Sequence, residues 1–336
     1  MAGRARLLRR AGRRTNLALL VVLVGAFLSG WAAFAAGTAV PSRLATVGHG
    51  LLGLGVLVLT PWKTVVIRRA PALRLASLGL VVVVLVCLAA GFVEVFAGFG
   101  LVAGLSPIQV HVGAAFVAVP LLVWHLLRHP RQVPRRADLG RRQLLRTAIF
   151  VAAIGAGYVV LEGAGRLAGL PSGRRIASGS HQIDPDAIPA TIWLLDRVPV
   201  VPSDHRVLVD GLAIPVIDLA ARAVPVRARL DCTSGWYADA EWSAVPLTSV
   251  LAQDRLSAAR SILVTSLTGY RRRFPVTDAD ALWLATRFED RPLTPGTGAP
   301  VRLVVPNRRG FWWVKWVASV ELSDTPAYAQ SPFPLQ

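Results

Sequence analysis

Apolar residues run in long blocks through the first half of the chain, and the pattern then breaks up. Five blocks, at roughly 17–40, 44–62, 75–97, 107–127 and 147–165, are each long enough to cross about 30 Å of hydrocarbon as helices. The second is the weakest, with Pro61, Trp62 and Lys63 marking an interface end. From Arg166 onward the hydrophobic positions fall into short β-like runs broken by Gly and Pro, at 206–210, 226–231, 260–267, 301–306 and 314–322. Between these runs, 246–254 and 277–287 read as amphipathic helices. Residues 166–180, rich in Gly, Ser and Arg, read as a linker, and 323–336 as a Pro-rich tail. The pattern predicts a multi-domain membrane protein. An N-terminal five-helix transmembrane bundle covers 1–165, and a C-terminal α+β domain with a mixed sheet and crossing helices covers 181–322.

Charge sharpens this division. The 336 residues carry a formal +18. Residues 166–336 hold 19 Lys and Arg against 16 Asp and Glu, which leaves 18 against 3, a net of +15, in residues 1–165. A pI near 11.6 would suggest nucleic acid if the charge covered a soluble face. Here it lies in loops between apolar blocks, which argues against a nucleic-acid partner. Six arginines precede the first block. Lys63, Arg68, Arg69 and Arg74 follow the second, and seven arginines from Arg128 to Arg146 follow the fourth. The two alternate loops hold only Arg43. The positive-inside rule therefore predicts a multi-pass protein of the cell membrane with a cytoplasmic N-terminus and a periplasmic or extracellular C-terminal domain. Gly140-Arg141-Arg142-Gln143-Leu144-Leu145-Arg146 before the fifth block resembles a twin-arginine export signal, whose machinery would then be a partner. It also reads as positive-inside charge that happens to contain an Arg pair.

Ionisable residues inside spans are functional candidates. His49 and His111 fall near the outer ends of the second and fourth blocks, at similar depth, flanked by Gly48, Gly50 and Gly113. Such a pair suits a b-type haem with two axial imidazoles, as in cytochromes of the b561-like kind. The plainer reading has both bonded to backbone or headgroups. His125 lies about 21 Å deeper on nearly the same face but lacks an opposing ligand, so one haem is expected. His125 and His129 read as interface residues. Glu94 and Glu162 read as interfacial carboxylates or as proton groups of a quinone site, and Cys87 as a buried apolar thiol.

Cys232 is the only cysteine after Cys87, in Asp231-Cys232-Thr233-Ser234-Gly235-Trp236. One thiol outside the cytoplasm makes no internal disulfide and no zinc site by itself. It could be a nucleophile, an intermolecular bridge, a buried inert thiol or the single protein ligand of a metal cofactor. No dinucleotide, P-loop, zincin or nucleophile-elbow motif is present, and only His181 and His205 follow the fifth block, so a Ser or Cys hydrolase is poorly supplied.

The ordered strings of this half carry a resemblance. They are Thr191-Ile-Trp193-Leu-Leu-Asp196-Arg197-Val-Pro199, Arg206-Val-Leu-Val-Asp-Gly211, the Cys232 string, and Trp242-Ser-Ala-Val-Pro246-Leu247-Thr-Ser-Val-Leu251. Thr268-Gly269-Tyr270-Arg271-Arg-Arg-Phe274-Pro275, Gly298-Ala299-Pro300-Val-Arg302-Leu-Val-Val-Pro306 and Gly310-Phe311-Trp-Trp-Val-Lys315-Trp316 follow. Together they resemble the sulfite oxidase family of molybdopterin enzymes, especially its bacterial single-domain, methionine-sulfoxide-reductase-like branch. The resemblance implies a molybdenum oxidoreductase in which Cys232 is the thiolate ligand of a molybdenum held by molybdopterin. It implies cofactor contacts from Ser266, Thr297, Arg302, Trp313, Val314 and Lys315, and more loosely from Asp196 and Arg197. Tyr270 and Arg271 would face the substrate.

Three departures stand out. Thr297 replaces the His or Asn common in relatives, and Leu195-Asp196-Arg197 stands where sulfite oxidisers carry Arg-Asn-His. The C-terminal dimerisation domain of sulfite oxidases is missing as well. The activity implied is oxo transfer on a small sulfur- or nitrogen-containing substrate, with electrons exchanged with the membrane quinone pool through haem b. Sulfite oxidation and a metal-free sensor or scaffold that keeps the fold are the alternatives.

Overall fold

The computed structural model describes residues 12–36, 38–68, 75–128, 140–189 and 197–331. They fall into two compact units, one of residues 12–36 and 40–181, the other of 38–39 and 182–331.

Five helices build the first unit: α1 (Arg13–Ala35), α2 (Ala39–Arg68), α3 (Leu75–Ala97), α4 (Pro107–Arg128) and α5 (Arg141–Leu167). Each takes up one predicted block, and each is long and apolar enough to cross a membrane. Their large apolar side chains point outward, with Val21 at 69%, Phe116 at 61% and Ile149 at 69% exposure. That arrangement is costly in water and favourable in lipid. α2 continues past the expected interface end at Pro61, Trp62 and Lys63 to Arg68. The hydroxyls of Thr60 and Thr64 donate to the carbonyls of Val56 and Pro61, adding bonds around the interruption.

The stretch 166–180 is not a loose linker. α5 runs on to Leu167, Pro171–Arg174 makes a 3-10 turn, and the chain then folds back on the helix ends. Arg175 donates to Ser172 O and pairs with Glu162 at 2.5 Å. Thr46 Oγ1 donates to Ser178 O, and His181 Nε2 donates to Glu94 O at 2.7 Å. Composition predicts flexibility only where polar groups lack fixed partners; here they have them.

The second unit is built from two sheets. Their strands are β1 (His181–Gln182), β2 (Arg206–Val209), β3 (Leu212–Pro215), β4 (Val224–Asp231), β5 (Trp236–Pro246), β6 (Ser261–Ser266), β7 (Arg271–Pro275), β8 (Trp283–Phe288), β9 (Arg291–Pro292), β10 (Arg302–Val304) and β11 (Val317–Ser323). One sheet runs β1-β5-β8-β10, with β4 on β5 and β9 on β8. The other runs β3-β2-β11-β6-β7, and in it only β2 and β11 are parallel. Among the described residues of this unit the α-helices are one or two turns long: α6 (Val216–Ala221) and α7 (Gln253–Ala258).

The expectation of crossing helices therefore needs correction. The stretch 246–254 resolves into a 3-10 turn at Leu247–Ser249 and the start of α7, and 277–287 into a 3-10 turn and β8. β8 lies between β5 and β10, and Leu284 and Ala285 are fully buried there. Their pairing and burial outweigh the helix preference of Leu and Ala.

Candidate active site

β4 and β5 form an antiparallel hairpin whose last pair is Asp231 with Tyr237. The turn that closes it carries Cys232. Cys232 N donates to Trp236 O at 2.8 Å, Gly235 N donates to Cys232 O at 3.3 Å, and Gly235 takes φ 92°. A positive φ at this point of a hairpin turn is the conformation glycine tolerates. The sulfur thus sits at the tip of a tight turn rather than in a mobile loop.

Around that tip lies a cleft with about 840 Å³ of empty space, its open mouth included. Cys232, Ser266, Tyr270, Thr297, Arg302, Trp313 and Lys315 line it together with Trp236 and Trp316. Residues from four well-separated strings therefore meet in one place. Arg302 is 3% exposed and lies over the rings of Trp242 and Trp313, at 5.5 Å and 5.7 Å. Its Nη1 donates to Thr297 O at 2.8 Å, and its Nε is buried without a hydrogen-bond partner. Burial pushes the guanidinium down to about 10, opposed by the negative charge available at Cys232.

Lys315 Nζ donates to Gly296 O at 2.6 Å, and Gly298 (φ 109°) leaves room for its stem, since a Cβ there would come within 3.1 Å of it. Ser266 Oγ accepts from Thr268 N at 3.2 Å, and the β6–β7 turn brings Tyr270 beside it. Trp316, 1% exposed, adopts φ 51° in the cleft wall. A bulky residue is rarely held in that conformation, and such strain clusters at functional sites.

Not every expected residue is brought here. Arg271 is exposed and outside the cleft lining, because the strand's alternation turns Arg272 inward instead. Val314 is fully buried and outside the cleft lining, its carbonyl oxygen accepting from Leu303 N at 2.8 Å. Arg197 is exposed and away from the lining. Asp196 lies outside the described residues.

Arg309 was missed, and Gly310 was read only as the start of a string, with no role in the site. Arg309 Nη2 donates to Cys232 O at 3.2 Å and lies 3.7 Å from Asp231 Oδ1. A Cβ on Gly310 would come within 3.1 Å of Asp231 O and 3.3 Å of Cys232 Cα. Both fix the backbone under the sulfur. The only local signal is the Asn307-Arg308-Arg309-Gly310 turn before Phe311, which is not specific.

The residues present fit a molybdopterin. A soft sulfur donor, two cations and an unpartnered buried Arg302 N–H face one cleft, which suits a thiolate-ligated metal with an anionic cofactor. Among the described residues no group of three or more His, Cys, Asp and Glu is placed to hold a metal. A metal at Cys232 would therefore bring its other ligands with it, as a dithiolene cofactor does.

In the first unit, His49 Nδ1 faces Ala26 O at 2.9 Å and His111 Nδ1 faces Cys87 O at 2.7 Å. If both Nδ1 atoms carry the proton, the two Nε2 lone pairs face each other, 3.4 Å apart. Two acceptors so placed repel unless a proton or metal lies between them. Gly30 and Gly91 admit the rings: a Cβ on either would come within 2.9 Å of His49 or His111. Cys87 is not packed only among aliphatic groups, since its Sγ lies 3.4 Å from His111 Nδ1. Glu94 is buried, and Glu162 is paired with Arg175. His125 lies on α4, and His129 is outside the described residues.

Residues 197–331 match the family described as the oxidoreductase molybdopterin binding domain. Among solved structures, the sulfane dehydrogenase SoxCD from Paracoccus pantotrophus is similar at 23% identity and a TM-score of 0.34. The match covers 38% of this chain and 40% of that one. The search of curated proteins gives no match. From the match over residues 197–331 and the cleft they build, the sheet-built part of this chain is a molybdopterin-binding oxidoreductase domain.

Proposed function

We propose that the chain is a membrane-anchored molybdenum oxidoreductase that transfers an oxo group to or from a small sulfur- or nitrogen-containing substrate outside the cytoplasm. The observation that carries this reading is the meeting of Cys232 with Arg302, Lys315, Ser266 and Tyr270 in one cleft. Bound molybdopterin would supply two-electron oxo-transfer chemistry. Cys232 would hold the metal as a thiolate, Arg302 and Lys315 would bind the cofactor's phosphate and pterin, and Thr297 and Trp313 would line its seat. Tyr270 would meet the substrate. The Leu195-Asp196-Arg197 departure favours reduction of an S-oxide or N-oxide over oxidation of sulfite.

The first unit would anchor the enzyme by α1–α5 and carry one haem b between His49 and His111. His49 and His111, whose Nε2 atoms lie 3.4 Å apart, would be the residues that hold it. Electrons would pass between this haem and the membrane quinone pool.

Metal analysis and visible spectroscopy of the purified chain test both parts. Cys232→Ser is expected to lose molybdenum while keeping its melting transition; full retention of the metal would refute the ligand assignment. His111→Ala is expected to lose the reduced b-type band, and a chain with no such band at all would leave α1–α5 a plain anchor.

A further inference from the structure

Arg272 is 1% exposed on β7, and Tyr270 stands two positions before it, just ahead of the strand. Arg272 Nε donates to Tyr270 Oη at 2.9 Å, and Tyr270 Oη in turn donates to Phe311 O. The guanidinium is boxed by the rings of Tyr270, Phe311 and Trp312 at 5.4, 5.1 and 5.4 Å, contacts that favour a cation withdrawn from water. Its Nη1 donates to Ser331 O at 2.9 Å, while Nη2 has no hydrogen-bond partner. No carboxylate pairs with it among the described residues.

The C-terminal stretch seals this place. Gln330 Oε1 accepts from Arg273 N at 3.0 Å and its Nε2 donates to Arg273 O, so one side chain pairs both backbone groups of the edge strand β7. Ser261 Oγ donates to Thr325 O at 2.6 Å. The expected Pro-rich tail is, as far as Ser331, a packed strap.

We propose that Arg272 is the positioning residue for Tyr270, fixing the phenol hydroxyl in the cleft through the Arg272 Nε–Tyr270 Oη bond. This rests on the reading of Tyr270 as a substrate-facing residue. A phenol oxygen has one proton and two lone pairs. The proton is given to Phe311 O and one lone pair receives Arg272 Nε, so these two bonds fix where the hydroxyl points.

The test uses the full chain in detergent with Arg272→Met, Arg272→Lys, Tyr270→Phe and the Arg272→Met/Tyr270→Phe double variant. Phenol ionisation is followed by ultraviolet absorbance. The chain has 4 tyrosines, so the difference from Tyr270→Phe isolates the one of interest. In Arg272→Met that difference signal is expected to move to higher pH by about one unit or more, and in Arg272→Lys by less. An unmoved signal overturns the proposal. Arg272→Gln, which keeps length and a donor but no charge, serves if the Met variant does not fold.

Turnover is measured with dimethyl sulfoxide as substrate and a reduced viologen as electron source. Arg272→Met is expected to lower kcat about tenfold with KM little changed, and the double variant to fall no further than Tyr270→Phe. Losses that multiply would place the action of Arg272 elsewhere and overturn the proposal. The phenol titration needs neither turnover nor metal, so a molybdenum-free preparation with the shifted titration would count against the enzymatic reading alone.

Discussion

The turn beneath the Cys232 sulfur closes at Gly235, and the φ of 92° there is open to glycine at little cost. An alanine in the left-handed region costs roughly 1–2 kcal/mol. Gly235→Ala is therefore expected to lower the unfolding free energy by about that much in urea melts, and to lower molybdenum content with it. At this scale much of the site could be read in advance. A lone thiol with no partner for a disulfide drew attention to Cys232, and ordered strings led to Ser266, Tyr270, Arg302 and Lys315. Arg271 was chosen over Arg272 because three consecutive arginines on a strand give no clue to which one the pleat turns inward. Arg309 was not seen, because its contact with Cys232 O joins positions 77 apart in sequence.

At the scale of elements, the segment after α5 shows how far composition can mislead. Gly, Ser and Arg suggested a flexible tether, yet His181 at its end is 6% exposed and bonded to Glu94 O. Burial holds its imidazole below the ordinary 6.5, against the opposing hydrogen bond to Glu94 and with some help from Arg175. A lowered histidine resists protonation when folded. The unfolded chain then takes up the proton first, and stability falls as pH drops through 6.5 to the depressed folded value. Urea midpoints in detergent are expected to be lower near about pH 5.5 than about pH 7.5, and His181→Gln to flatten that dependence. β8 was misread as helix for a related reason. Trp283-Leu284-Ala285 suits either form, and pairing with β5 and β10 decides between them.

For the molecule as a whole, the uneven charge makes the strongest statement. A net +15 sits in the first 165 residues, in alternate loops, and the second half is near neutral. The positive-inside rule then makes a prediction for reporter fusions. Alkaline phosphatase joined after Ser323 is expected to be active, and joined after Arg136 inactive. The reverse pattern would overturn the orientation and, with it, the placing of the cleft outside the cytoplasm.

Hydrophobic run length and loop charge are properties of neighbouring residues, so five candidate spans and a change of regime near Arg166 were evident before any coordinates. The same holds for the solitary thiol. The cleft is another matter. It depends on which face of each strand turns inward, on a hairpin that lifts Cys232, and on buried rings that hold Arg302 and Arg272 in place. Those are contacts between segments far apart along the chain, and folding alone brings them together.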